Sequence, residues 1–386
     1  MAPKVSGAFD YQMTQCRPKR KTFRMPVPRL PKIKLIDYFI DQIADRVTNL
    51  LDQQALSSSR IKRSFDTPDN TEEPIRGVGD SPNKRPAEAE WMSYAKVIGE
   101  LEPPLYPTAA RRRQSDLCRQ ADFALDAYRY WSSALGLVPT LHRKHWEFFY
   151  ICQALYERGL LTEGRTGLGF GVGREPLPAL FASLGCNIVA TDQAADDALR
   201  GGWKETHQHA NEVAVLERPD ICASSIFRER VSFAVADMNN ISTDLADRFD
   251  FCWSVCSLEH LGSLEHGLRF VENSIDTLKI GGIAVHTTEF NLLSNAATVE
   301  SPGLSIYRKC DIEELAKRLE QAGHYVEPLN LSPGTTLVDD YIDLPPYHNE
   351  PHLRLRIGEY DCTSVGLIIT RGGRKPVAQP MEVRSS

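Results

Sequence analysis

The chain has 386 residues and lacks the patterns that mark several classes of protein. Its nine cysteines are scattered and include no CxxC pair, so we expect neither a disulfide framework nor a tetrathiolate zinc site. No apolar run approaches the roughly 18 residues that a membrane span needs, and no signal peptide is recognisable. These absences favour a cytoplasmic protein with reduced thiols and without a membrane span.

An excess of one charge sign is also missing. The net charge is -6 at pH 7, which carries no global signature of nucleic-acid binding. Apolar residues make up 42% and charged residues 25% of the chain, close to the averages for globular proteins. Most of the chain should therefore fold around a core, and a nucleic acid is not the expected partner.

The first 90 residues differ in composition from the rest. A basic cluster runs from Arg17 to Lys34, apolar residues recur at helical spacing from Ile33 to Leu51, and a stretch rich in Ser, Pro and charged residues follows. We predict a flexible basic tail, an amphipathic helix and a linker over residues 1–90. The helix would serve either a partner or its own domain.

Residues 91–160 show helical spacing. Ala121–Leu137 and His145–Leu160 are the better helix candidates, and the second carries several aromatic side chains suited to a buried face. We predict an N-terminal helical extension or cap for this region. The main domain is expected over residues 161–386.

From Arg165 onward, short apolar strands alternate with helical segments. This alternation predicts an α/β domain with a doubly wound, mostly parallel sheet and helices on both faces. Ligands bind such sheets beyond the carboxyl ends of the strands. The expected strands are Thr166–Phe170, Asn187–Thr191, Val231–Ala236, Phe249–Val255, Ile283–Thr288, one near Tyr325–Leu331 and Ser364–Thr370, and the expected helices are Pro176–Leu184, His266–Leu278 and Ile312–Ala322.

Glycines cluster where the first of these strands ends. A dinucleotide-binding fingerprint needs glycines at the first, third and sixth positions. Counting from Gly167 or Gly169, the sixth position is Val172 or Arg174, so both registers fail. What is present is a GxGxG loop, followed by an aspartate at the tip of the next predicted strand: Gly169, Gly171, Gly173 and Asp192.

This pattern resembles the class I S-adenosylmethionine-dependent methyltransferases over about residues 140–331 and 364–370. The resemblance implies a seven-stranded, Rossmann-like methyltransferase fold with S-adenosylmethionine as the cofactor. In it, the three glycines of the loop pass under the methionine part of the cofactor, and Asp192 binds the ribose hydroxyls. Asp237 and Met238 look like the acidic site beside the adenine.

One position departs from the family pattern. The family usually has a carboxylate two residues before the first glycine of the loop, where this chain has Gly167. The resemblance therefore leaves the partner of the cofactor's amino group unassigned. A residue of the preceding helices, or Glu175, would have to supply it.

The segment Cys256–His260 follows the strand that ends near the expected pocket. Its Glu259 and His260 are the candidate catalytic residues, because a hydroxyl acceptor benefits from losing its proton to a base. The segment resembles part of an ExxEH metal motif of some magnesium-dependent O-methyltransferases, but Cys256 replaces the first glutamate. We therefore expect no metal. A structural role for His260 is the competing interpretation, and His286, inside an apolar strand, is expected to be a core histidine.

The acceptor is not identified by the sequence. A Glu–His pair without a basic groove favours O-methylation of a small-molecule, glycan or lipid hydroxyl. The alternatives are a noncatalytic or regulatory protein that keeps the fold, or a nucleic-acid methyltransferase whose Arg17–Lys34 and Arg111–Arg113 clusters reach the pocket. A long insertion before the last strand, which includes Tyr341 and His352, forms either a wall of the acceptor pocket or a surface hairpin. Nothing indicates the oligomeric state.

Overall fold

The computed structural model of the protein describes residues 101–108, 111–193 and 212–373. The predicted basic tail, amphipathic helix and linker lie outside these residues. Within them, no helix combines the length and the hydropathy that crossing a bilayer would require.

An eight-stranded sheet forms the centre of the molecule. Its strand order is β4-β3-β2-β5-β6-β12-β11, and β9 pairs with the other end of β12. Strands β4, β3, β2, β5 and β6 are parallel, whereas β12 runs antiparallel to β6. The sheet strands are β2 (Thr166–Phe170), β3 (Asn187–Asp192), β4 (Val231–Val235), β5 (Phe249–Val255), β6 (Leu278–Asn291), β9 (Tyr325–Val326), β11 (Leu355–Ile357) and β12 (Tyr360–Thr370).

Two pairs of short strands lie outside this sheet. In one pair β1 (Ser115–Asp116) runs parallel to β10 (Leu329–Asn330), and in the other β7 (Glu300–Ser301) runs antiparallel to β8 (Leu304–Ser305). The pairing of β1 with β10 joins the N-terminal helical region to the segment that follows the last long helix. The helical region is therefore tied to the sheet domain by backbone hydrogen bonds as well as by packing.

Eight α-helices are present in the described residues, most of them beside the sheet. They are α1 (Gln120–Phe123), α2 (Asp126–Ala134), α3 (Arg143–Tyr156), α4 (Leu177–Ser183), α5 (Ser224–Arg230), α6 (Leu264–Ile275), α7 (Lys309–Gln321) and α8 (Leu337–Asp340). Two large apolar clusters, which between them contain buried side chains from β2, β5, β6 and β12, form the core. This arrangement confirms the predicted fold class of a doubly wound, mostly parallel sheet.

Several element boundaries differ from the sequence prediction. The single helix expected over Ala121–Leu137 is two helices, because the backbone is extended at Leu125. The helix expected over His266–Leu278 ends at Ile275, and Leu278 already belongs to the long strand β6, which contains Gly281 and Gly282 and pairs with β5 through a register shift. The strand β11, which was not predicted, comes from the long insertion and extends the expected seven strands to eight.

Helix α3 is part of the main core. Its residues Trp146, Tyr150 and Leu155 are fully buried in the same apolar cluster as the sheet residues Phe251 and Ile368. The predicted helical extension thus packs directly on the sheet. It brings the first turn of α3 close to the carboxyl ends of the strands.

A buried ion pair stabilises this docking. Arg113 donates to both carboxylate oxygens of Asp122 at 2.7 and 2.8 Å, and Trp146 Nε1 donates to the same carboxylate at 2.7 Å. Burial opposes the charge of Arg113, but the Asp122 and Asp116 carboxylates overcome it and raise the pKa of the guanidinium. Arg113 is therefore a charged residue of the core, where its guanidinium is paired with buried carboxylates.

We expect Asp122→Ala to lower the free energy of unfolding by about 3–5 kcal/mol, because it leaves the buried guanidinium of Arg113 uncompensated. The control is Asp126→Ala, which breaks an Asp–Arg pair with Arg129 whose carboxylate is exposed and should cost about 1 kcal/mol or less. Urea denaturation of both variants measures the difference. Equal losses would contradict the assignment of Arg113 and Asp122 as a core pair.

Candidate functional site

The glycine loop leaves the carboxyl end of β2 and turns back sharply. Gly171 and Gly173 have φ angles of +58° and +51°, the left-handed region that favours glycine. A Cβ atom on Gly171 would lie 2.8 Å from Ser257 Oγ and 3.3 Å from Met238 Sδ. The loop therefore lies close to two other segments, and a side chain at Gly171 would force them apart.

Asp192 at the tip of β3 holds the far end of this loop. Its Oδ2 accepts a hydrogen bond from the backbone N–H of Gly173 at 3.2 Å, and its Oδ1 accepts one from the N–H of Gln193 at 2.8 Å. The backbone N–H of Val172 donates to the carbonyl of Thr191 at 3.0 Å. The predicted acidic residue and the predicted glycine loop are thus in direct contact.

The next strand adds Asp237 and Met238 to the same edge of the sheet. The N–H of Ala236 donates to the Asp192 carbonyl at 3.0 Å, so the ends of β3 and β4 lie side by side. Asp237 is exposed and accepts from the N–H of Asn239, whereas Met238 is buried against the loop. All six residues predicted to bind the cofactor therefore lie along one edge.

The structure explains why no carboxylate stands at Gly167. A Cβ atom there would lie 2.4 Å from the ring of Phe251, and one at Gly169 would lie 2.5 Å from the ring of Trp253. The two aromatic side chains of β5 cover the two glycines of β2. An aspartate or glutamate at position 167 would collide with Phe251.

A second group of polar residues lies next to the loop, where α3 meets the ends of β5, β6 and β12. We call it the buried charge cluster. Its centre is Glu147, which is completely buried. The members are Arg143, Lys144, Glu147, Cys256, Glu259, Glu289 and Ser364, and four of them, Arg143, Lys144, Glu147 and Ser364, were not singled out from the sequence.

The charges of α3 and β6 compensate one another within this cluster. Arg143 contacts Glu289 at 2.6 Å and Glu147 at 3.2 Å, and Lys144 contacts Glu147 at 3.2 Å. Burial would raise the pKa of Glu147, but Lys144 and Arg143 prevail and hold it below its usual value. Burial raises the pKa of Glu289 against the opposing effect of Arg143.

Glu259 and His260 lie beside these charges in a short 3-10 turn, Leu258–His260. Glu259 is buried and accepts from Thr288 Oγ1 at 3.0 Å, and burial raises the pKa of its carboxyl. His260 is half-buried, and its Nδ1 lies 2.7 Å from the carbonyl of Gly303. Because a carbonyl only accepts, Nδ1 carries the proton and Nε2 is the basic nitrogen of the neutral ring.

Cys256 is the member of the buried charge cluster that precedes Ser257, which lies beside the loop, and its backbone conformation is uncommon. Its φ is +42°, one of two positive values among the described non-glycine residues. Its thiol donates to Glu147 at 3.1 Å, and burial, followed by the nearby Glu147 and Glu259, raises its pKa well above the usual value. The residue is therefore a neutral thiol.

Three potential metal ligands come together here. Donor atoms of Cys256, Glu259 and Glu289 lie within 4.8 Å of one another. The set does not fit magnesium, which prefers oxygen ligands, because the protonated thiol of Cys256 supplies none. Arg143 already provides Glu289 with a positive charge. Glu289 lies near the carboxyl end of the buried strand β6, in the segment Thr287–Asn291, and the weak similarity of this segment to a strand end of some magnesium-dependent O-methyltransferases was the available sequence signal.

The long insertion packs over the start of α3. Asp343 is completely buried and accepts from His352 Nδ1 at 2.7 Å and His348 Nδ1 at 2.8 Å. The ring of His352 stacks on His142, the residue that precedes α3, with centroids 4.6 Å apart. The insertion is therefore packed onto the domain through buried side chains, and its role as a wall of the acceptor pocket stays a prediction.

Other predicted candidates do not belong to the site. The two ring nitrogens of His286 lie 2.8 Å from Ser254 Oγ and 3.0 Å from Ser274 Oγ, and burial lowers its pKa to about 3. It is a core histidine, as expected. Arg113 was one of the basic residues considered for binding a nucleic-acid acceptor. Its side chain instead forms a buried ion pair with Asp122.

Several solved structures resemble this chain at low sequence identity. No family model and no curated protein matches the chain. A candidate sarcosine dimethylglycine methyltransferase from Galdieria sulphuraria is 14% identical, with a TM-score of 0.38 over 60% of this chain and 85% of its own. Magnesium protoporphyrin IX methyltransferase from Synechocystis PCC 6803, with bound SAH, is 12% identical, with a TM-score of 0.34 over 56% and 78%.

Phosphoethanolamine N-methyltransferase 2 from Haemonchus contortus, in complex with S-adenosyl-L-methionine, is 14% identical, with a TM-score of 0.34 over 57% of this chain and 52% of its own. The fold assignment depends on the strand order of the sheet, with the antiparallel β12 next to β6, which confirms the expected doubly wound, mostly parallel sheet. The case for a function depends on the side chains described above.

We expect Gly167→Ala to lower the free energy of unfolding by about 1–3 kcal/mol, because the new methyl group must displace the packed ring of Phe251. Gly373→Ala is the control, since a Cβ atom there meets nothing within 4 Å and should change stability by about 0.5 kcal/mol at most. Thermal and chemical denaturation measure both. A neutral Gly167→Ala would show that the ring does not occupy this place.

Proposed function

We propose that the protein is an S-adenosylmethionine-dependent methyltransferase. The observation that carries this proposal is the contact between the Gly169–Gly173 loop and Asp192 at neighbouring strand ends. Backbone amides of a glycine loop can approach a ligand closely, and a carboxylate at the next strand tip can take a ribose diol. Asp237 and Met238 extend the same edge and would take the adenine.

Methyl transfer needs the acceptor, the methyl group and the sulfur in line. The buried charge cluster lies next to the loop, at the ends of β5 and β6. An acceptor held between the loop and this cluster would therefore meet Glu259 and His260 beside the methyl group. The insertion around Asp343 would close this side and keep water out.

We propose a hydroxyl of a small molecule, a glycan or a lipid as the acceptor. A hydroxyl is a weak nucleophile and benefits from a base. His260 fits this role because its Nδ1–H is held by Gly303, which leaves Nε2 basic, and because it is partly accessible. Glu259 Oε1 lies 4.0 Å from His260 Nε2 and would stabilise the imidazolium formed when the proton arrives.

A nucleic-acid acceptor has less support. The basic residue Arg113 is buried in an ion pair, and the net charge of the chain is negative. The buried charge cluster holds three acidic and two basic side chains, and the basic ones are already paired with Glu147 and Glu289, so neither is available to a phosphate backbone. A noncatalytic protein that keeps the fold is distinguished from an enzyme by cofactor binding and turnover.

We expect Asp192→Ala to weaken S-adenosylmethionine binding by about 3 kcal/mol, more than a hundredfold, because charge-assisted hydrogen bonds to the ribose are lost. Titration calorimetry measures the affinity, and Asp244→Ala, an exposed aspartate in a surface turn, is the control. If the wild-type protein does not bind the cofactor at millimolar concentration, the enzyme proposal is wrong. An unchanged affinity in Asp192→Ala would remove this residue from the site.

We expect His260→Ala to lower kcat by about 10²–10⁴-fold through loss of the general base, with cofactor affinity unchanged. The acceptor is found first, by screening metabolite and glycan extracts with isotopically labelled cofactor. His266→Ala, which removes an exposed histidine, should leave kcat unchanged, and a chelator should have no effect. Full activity in His260→Ala would assign His260 a structural role. Loss of activity with a chelator would show that the enzyme needs a metal, contrary to the expectation from Cys256, Glu259 and Glu289.

A further inference from the structure

Glu175 carries a carboxylate at the end of the glycine loop, whereas Gly167 lies before its start. Arg174 separates Glu175 from Gly173, and Pro176 separates it from α4. The backbone N–H of Glu175 donates to the carbonyl of Val172 at 3.1 Å, so the residue is fixed to the loop. Its position relative to the glycines is therefore set by the loop itself.

The side chain of Glu175 is turned toward β5. Trp253 Nε1 donates to its Oε1 at 2.6 Å, and the same indole ring covers Gly169. The carboxylate thus sits beside the part of the loop that the methionine portion of the cofactor would cross. The residue is half-buried, and Trp253 is the one described hydrogen-bond donor to its side chain.

No described Lys, Arg or His lies within 4.0 Å of the Glu175 carboxylate. Other buried acids of this region have such a cation: Glu147 has Lys144, and Glu289 has Arg143. A carboxylate without a cation at a ligand-binding loop is suited to a ligand that brings its own positive charge. S-adenosylmethionine carries an ammonium group on its methionine portion.

We propose that Glu175 binds this ammonium group in place of the carboxylate that other members of the family have at the position of Gly167. The inference rests on the proposed function and names a contact of the same site. It follows from two features of this chain together: Phe251 blocks the usual position before the loop, and its neighbour Trp253 on the same face of β5 orients Glu175 after the loop.

The free site should also hold a proton. The pKa of Glu175 is raised to about 8, mainly by burial; the hydrogen bond from Trp253 opposes this rise and the nearby Asp192 adds to it. The other charged groups that act on it are Lys144, which lowers the pKa, and Glu147, which raises it; Cys152, nearby on α3, is a neutral thiol because burial raises its pKa. An arriving ammonium favours the ionised carboxylate, so the proton leaves to solvent on binding.

The test compares two ligands and two variants. S-adenosylhomocysteine carries the ammonium group, whereas 5′-methylthioadenosine has the same nucleoside without the amino-acid part. We expect Glu175→Gln to weaken S-adenosylhomocysteine binding by about 10- to 100-fold and to leave methylthioadenosine binding unchanged. Glutamine keeps an acceptor for Trp253 Nε1, so the fold should be retained.

The pH dependence provides a second readout. Below pH 8 the wild-type affinity for S-adenosylhomocysteine should rise by about tenfold for each unit of increase in pH. Calorimetry in buffers of different ionisation enthalpy should show that close to one proton is released per ligand bound. Glu175→Gln should lose both effects. Trp253→Phe removes the donor that favours the ionised carboxylate and should move the inflection to higher pH.

Each outcome has one meaning. If neither ligand binds the wild-type protein, the proposed function itself fails. If both bind and Glu175→Gln changes neither affinity, or weakens both equally, Glu175 does not contact the ammonium group. If the proton release persists in Glu175→Gln, another group titrates and the inference is overturned.

Discussion

The carboxylate of Glu147 is the group on which the geometry of the site depends. It is completely buried and accepts hydrogen bonds from Arg143 and Lys144 of its own helix, from Cys256 after β5, and from Ser364 of β12. An ionised group inside a protein is tolerated only when its charge and lone pairs are compensated. Helix α3 can therefore dock on the sheet in one register, the one that brings these donors together.

The docking of α3 determines where the remaining polar residues point. With the helix in this register, Arg143 reaches Glu289 at the end of β6, and the loop after β5 is drawn toward the helix through Cys256. The left-handed backbone at Cys256 turns the following residues so that Glu259 is buried against Thr288 and His260 is held by Gly303. The candidate base and its neighbour are therefore positioned by a helix that lies far away in the sequence.

Aromatic packing imposes a second constraint at the glycine loop. Phe251 and Trp253 use the space above Gly167 and Gly169, which brings β2 and β5 close together but leaves no room for an acidic side chain at position 167. The same Trp253 then donates to Glu175. The packing that leaves no room for a carboxylate before the loop thus orients another carboxylate after it.

Much of the central sheet could be read from the sequence because its strands are short apolar runs bounded by glycine or charged residues. The bounds of β2 and β5 were predicted exactly as the structure has them, and β3 to within one residue. The single helix expected over Ala121–Leu137 failed because local periodicity does not report an extended residue between two helices. The strand β11 was missed although Leu355, Arg356 and Ile357 alternate between apolar and charged, because a run of three residues is too short to stand out within the long insertion.

By itself, the sequence determined the alternation of strands and helices, the glycine spacing that excludes a dinucleotide fingerprint, and the placement of Asp192 and Asp237 at strand tips. These features are local, since each depends on residues close together along the chain. Only the tertiary structure decided the partners of Glu147, the burial of Arg113 in the core, and the position of Glu175 beside Trp253. Those outcomes depend on which distant side chains share a low-dielectric space, and neither spacing nor composition encodes that.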